Sequence, residues 1–64
     1  MKAIKFRKFD EQGYFKGENT SERKYTLRNA MEHLRENGFE PMFDDGKKLQ
    51  RVWTNGKGIN AYIL

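Results

Sequence analysis

The last fifteen residues, QRVWTNGKGINAYIL (Gln50 to Leu64), constrain the fold more than any other stretch. Two short runs that alternate in polarity flank Asn55-Gly56, a dipeptide suited to the positive φ angles of a tight hairpin turn. The pattern predicts paired strands over Lys48 to Thr54 and Ile59 to Ile63. A turn of two residues would pair Thr54 with Lys57, and a turn of four would pair Thr54 with Ile59. In either register an even-numbered residue faces an odd-numbered one, so the composition of each face is independent of the register. One carries Lys48, Gln50, Val52, Thr54, Ile59, Ala61 and Ile63; the other carries Leu49, Arg51, Trp53, Asn60, Tyr62 and Leu64. β-Branched and small side chains suit the underside of a helix, so the Val52/Ile59/Ala61/Ile63 face is expected in the core. The Arg51/Trp53/Asn60/Tyr62 face is expected to be open.

The helix that would cover this core is legible upstream. Leu27, Ala30, Met31 and Leu34 recur at the spacing of one helical stripe, and Arg28, Asn29, Glu32, Arg35 and Glu36 fill the other side. Asn37-Gly38 supplies a stop, with Gly38 as the left-handed residue, and Thr20 or Ser21 is the expected N-terminal cap. Phe39 to Phe43 reads as a short strand that Pro41 confines to an edge, and Asp44-Asp45-Gly46 as a turn. At the N-terminus Ile4 and Phe6 alternate with Lys5 and Arg7, the period of a half-buried strand. Asp10 to Gly13 then turns the chain, Tyr14 to Lys16 returns as a short second strand, and Gly17 to Ser21 is loop-like. The expected fold class is α+β: one domain over residues 1–64, in the order β-β-α-β-β-β, with one helix packed on one face of a small antiparallel sheet.

With 64 residues and no cysteine, the chain is close to the lower size limit for a domain that folds without a covalent or metal staple. Aromatic residues, 14% of the chain, supply large buried area per side chain. No long apolar run and no signal-peptide pattern occurs, so a soluble cytoplasmic protein without membrane association is expected.

Charge is segregated along the chain. Residues 1–9 carry four bases and no acid, residues 46–64 again four bases and no acid, and all nine acids lie between residues 10 and 45. If the N-terminal strand buries Ile4 and Phe6, Lys5 and Arg7 turn to the same side as Trp53 and Tyr62. A basic, aromatic sheet face follows, and such a face suits single-stranded nucleic acid, whose bases stack on rings and whose phosphates pair with cations. The residues expected to carry binding are Lys5, Arg7, Lys48, Arg51, Trp53, Lys57, Asn60 and Tyr62, with Trp53 and Tyr62 as the stacking groups. Two other readings use the same residues. Trp53 and Tyr62 could form a second cluster covered by Phe9, Tyr14 or the loop before the helix, and the exposed bases could serve solubility and edge protection.

No catalytic constellation is present. His33 is the single histidine, no cysteine exists to complete a metal site, and no nucleophile stands with a base. Asn55-Gly56-Lys57-Gly58 lacks the strand-to-helix setting of a phosphate loop. No enzyme, cofactor or metal is therefore expected. The pattern of residues 27–62, helix-GF-strand-turn-strand-NG-strand, resembles that of the HicA-type RNA-targeting toxins, which have a core like that of double-stranded-RNA-binding domains. That family's catalytic histidine follows a glycine at the start of the second strand, where this chain has Gly46-Lys47-Lys48. Its final helix is also missing here, so cleavage is not implied. A reading from another class is a protein-binding module or inhibitor, since Trp, Tyr and Arg are also the side chains of interface hot spots. The same face could pair two copies into a homodimer.

Overall fold

The computed structural model describes residues 1–64. Six elements follow in the expected order: β1 (Ile4–Phe9), β2 (Phe15–Thr20), α1 (Leu27–Glu36), β3 (Glu40–Asp44), β4 (Lys47–Thr54) and β5 (Ile59–Ile63). The five strands make one antiparallel sheet in the order β2-β1-β5-β4-β3. The N-terminal hairpin and the C-terminal meander therefore meet where β1 pairs with β5, Ile4 opposite Ile63 and Phe6 opposite Ala61. The fold is broadly α+β and dominated by its sheet. Its extents of 33 × 30 × 18 Å are those of a slab one sheet and one helix thick.

Local chemistry explains both ends of α1. Thr26 is extended and its hydroxyl accepts from the Asn29 amide at 3.1 Å, satisfying one orphan donor of the first turn. At the other end Gly38 takes φ 85°. Its amide donates to the Arg35 carbonyl and that of Phe39 to the Leu34 carbonyl, the paired bonds of a Schellman stop. The cap lies later than Thr20 or Ser21 because Ser21 is already engaged: its hydroxyl accepts from the Ile4 amide at 2.9 Å and donates to the Arg23 carbonyl. Thr20 ends β2. That strand is longer than the expected Tyr14 to Lys16 return and absorbs the stretch read as a loop, because the edge of β1 offers backbone partners from Lys5 to Phe9. Nothing in FKGENT alternates in hydrophobicity, so its pairing is a tertiary effect.

The core contains Ile4, Ala30, Leu34, Phe39, Trp53, Ala61 and Ile63, with Phe6, Tyr25, Leu27, Met31 and Ile59 packed around it. The assignment of β5 is as expected, with Ala61 and Ile63 buried. The assignment of β4 is reversed. Trp53 is fully buried and pairs with Ala61, while Val52 pairs with Tyr62 on the opposite face. The loop between the strands explains the reversal. Asn55 donates its backbone amide to the Ile59 carbonyl, so the closing pair leaves three residues, Gly56 to Gly58, in the loop. An odd loop pairs residues of like parity, and a one-residue slip moves a whole strand to the other face. The Asn55 side chain stabilises this loop by accepting from the amides of Lys57 and Ile59 at 2.8 and 3.1 Å.

Gly58 is the residue that this loop cannot exchange. Its φ is 95°, and a Cβ there would lie 2.6 Å from the Phe9 carbonyl oxygen. Gly56 has φ 70° but open space around it. The substitution Gly58→Ala should lower stability by at least about 1–3 kcal/mol, and Gly56→Ala by less. Urea midpoints of the two variants test the ranking, and equal midpoints contradict it.

Candidate functional site

The face of the sheet away from α1 has no covering element, and the register fixes what it displays. Because side chains alternate along a strand, the residues between the buried ones form cross-strand rows. One row runs Thr20, Lys5, Tyr62, Val52 across β2, β1, β5 and β4. The next runs Glu18, Arg7, Asn60, Thr54 and ends on Glu40 of β3. Lys5, Arg7, Tyr62 and Leu64 line a shallow depression there. Four of the eight expected binding residues, Lys5, Arg7, Asn60 and Tyr62, thus come together on one open face.

The other four do not join them. Trp53 is the clearest correction: it lies in the core, fully buried. Its indole Nε1 donates to the Gln50 carbonyl at 2.9 Å, and the Arg35 guanidinium stands 5.5 Å from its ring centre. It is therefore not a stacking group. Arg51 is exposed one residue before the first β4–β5 pair. Lys48 sits opposite Phe43 on the β3–β4 hairpin and lines a groove with Arg35, Phe39, Glu40 and Pro41. Lys57 is at the tip of the β4–β5 loop, beside a cleft that Asp10 and Glu11 also line.

The electrostatics of the face also differ from a purely basic patch. Glu18, which β2 brings across from β1, lies 3.9 Å from the Lys5 ammonium and 3.3 Å from Arg7 Nε. Arg7 also lies over the Phe15 ring at 5.1 Å, and Phe15 meets Phe9 edge-on at 5.8 Å. The two cations are held by a carboxylate and a ring within the chain, and Glu40 adds a second negative charge at the far end of the row. Glu18, Glu40, Phe15, Val52 and Thr54 are members that sequence reasoning missed. Glu18 and Phe15 depended on the full length of β2, and Val52 and Thr54 on the parity of the loop. His33 is half-buried with its ring stacked on Tyr25, centroids 5.1 Å apart, at the helix side of the molecule.

Burial of Trp53 has a direct optical readout. Its fluorescence should resist quenching by iodide and acrylamide in the folded protein and become accessible in urea. A Stern–Volmer slope already near that of free indole in buffer would contradict the packing. Truncation by Trp53→Ala should cost about 3–5 kcal/mol of stability, enough to unfold most domains of this size.

No family model matches the chain, and neither the curated proteins nor the solved structures compared with it contain a match.

Proposed function

We propose that this chain is a non-enzymatic interaction module whose open sheet face engages a partner protein. The reading is carried by one observation: Tyr62, Val52 and Leu64 belong neither to the buried cluster nor to the side chains packed around it, yet Tyr62 and Val52 are cross-strand neighbours in the middle of an uncovered face. They contribute nothing to the core, and tyrosine is one of the side chains in which interface hot spots are enriched. Around them stands a polar rim of both signs, Lys5, Arg7 and Glu18, already paired within the chain. Mixed, locally satisfied charge suits another protein surface better than it suits a row of phosphates.

A second reading is supported by the β3–β4 hairpin. Phe43 is 64% exposed there, opposite Lys48. Lys47, Lys48 and Arg51, on the same hairpin, have no ion-pair partner. An exposed ring among free cations is the arrangement that binds single-stranded nucleic acid, so on this reading the nucleic-acid site lies on the hairpin and not on the sheet face.

One set of variants separates the two. Captured partners from nuclease-treated lysate should be retained by the wild type and by Lys48→Ala, and Tyr62→Ala should weaken binding to the purified partner at least about tenfold, the scale of an interface hot spot. Binding that ignores Tyr62→Ala contradicts the sheet-face reading. The nucleic-acid reading expects a short single strand to bind with an affinity that falls with salt. Lys48→Ala should then reduce the slope of log K against log salt by roughly 0.7. No binding at low ionic strength contradicts it.

A further inference from the structure

The two edges of the sheet are built differently, and from that difference we infer that two copies of the chain pair through β2 into one continuous ten-stranded sheet. The backbone hydrogen bonds identify which groups are free. The Ser21 amide donates to the Ile4 carbonyl, so Ile4 and Ser21 form a bonded position of the β1–β2 ladder. Bonded and non-bonded positions alternate in an antiparallel pair, which makes Asn19 and Gly17 the next residues turned toward β1. The backbone groups of Glu18 and Thr20 consequently point away from the sheet, unpaired, along an edge with no proline.

The opposite edge is interrupted. There Thr54 pairs with Glu40 and Trp53 with Pro41, and the register shifts between Pro41 and Phe43. The same alternation turns Glu40 inward to β4 and leaves Pro41 at an outward position, where proline has no amide to donate. Strand addition at β3 therefore lacks a donor that β2 supplies. Pairing about a two-fold axis at β2 uses that edge of both copies and leaves only the proline-bearing β3 edges at the ends of the sheet.

Side-chain chemistry selects the register. Residues whose free groups face outward must bond to each other, so an even-numbered residue of one copy meets an even-numbered residue of the other. Pairing Glu18 with Glu18 sets like charges directly opposite, which is unfavourable. Pairing Lys16 with Glu18 centres the contact next to the bulge that breaks the ladder between Lys8 and Phe9. Pairing Thr20 with Thr20 runs the contact into the bend at Glu22 and Arg23. The register left pairs Glu18 with Thr20 on both sides of an axis at Asn19. Its pairs are complementary, hydroxyl to carboxylate and amide to amide, and Glu18, Asn19 and Thr20 are exposed in the single chain. The pairing uses the edge of the sheet and is independent of the protein-binding reading of its face.

Sedimentation equilibrium of the full chain over micromolar to millimolar concentration tests the inference. The mass should rise with concentration from 7.6 kDa toward twice that value. Thr20→Pro, which removes an outward amide and no β1–β2 bond, should hold the mass at that of the monomer with an unchanged far-ultraviolet circular dichroism spectrum. Thr20→Glu should weaken the dimer about tenfold, since two hydroxyl–carboxylate pairs become like-charged. Adding Glu18→Gln to it should restore most of the affinity. A wild type that stays monomeric at millimolar concentration overturns the proposal. So does a dimer that Thr20→Pro leaves intact, or a Thr20→Glu loss that Glu18→Gln does not relieve.

Discussion

Burial of the Trp53 indole against Ala61 is the contact on which the arrangement of the sheet depends. Only seven side chains are buried in the whole chain, and Trp53 is the largest of the five that are fully so. An aromatic side chain of this kind removes about 150–250 Å² from water. At about 25 cal/mol per Å² this is roughly 4–6 kcal/mol before conformational costs, comparable with the whole net stability of a small domain. Ala61 is the complement that makes room for it across the strand. The Gly56 to Gly58 loop places the two opposite each other, and Gly58 can fill that loop only because it has no side chain to meet the Phe9 carbonyl. The loop is thus part of the core's design, although none of its own residues is in the core.

That dependence also explains which features were legible in the sequence. The stripe of Leu27, Ala30, Met31 and Leu34, the Gly38 stop, the edge position of Pro41 and the limits of β5 all follow from local chemistry, and the order of elements follows from them. Two features did not. The parity of the β4–β5 pairing rests on a side-chain bond, Asn55 Oδ1 accepting from Lys57 and Ile59, which fixes a three-residue loop where Asn-Gly invited an even one. The full length of β2 rests on the free edge of β1, since FKGENT has neither alternation nor β-branched residues before Thr20. Neither is visible in the hydrophobic pattern: one is set by a hydrogen bond inside the turn, the other by the edge of another strand. Together they decided the candidate site: the first exchanged Trp53 for Val52 on the open face, and the second concealed Glu18.

Charge segregation along the chain gave way to mixing in space. The acid-free N-terminal stretch folds against a strand from the acidic middle, and Lys5 and Arg7 meet Glu18. Lys16 similarly meets Asp10 at 3.5 Å. Cations without such partners lie elsewhere, among them those of the β3–β4 hairpin and Lys57 in the β4–β5 loop. A net charge counted in sequence blocks therefore says little about the field over a face when strands from opposite blocks pair. The resemblance to RNA-targeting toxins extends no further than the order of α1, β3, β4 and β5, a consecutive antiparallel meander after a helix; it contributes no residue to the open face.

Folding requirements do not account for the composition of that face. Exposed ion pairs such as those of Glu18 contribute little to stability, and the side chains that hold α1 on the sheet all lie on the other side. One helix of ten residues covers only part of one face, so a 64-residue sheet protein of this kind leaves a whole face to solvent. Threonine, lysine and glutamate at every outward position would satisfy the strands equally well. Val52 and Tyr62 instead stand as half-buried neighbours at its centre, where their contact supports the β4–β5 pairing. The part of their surface that this contact leaves in water is what the proposed partner would cover.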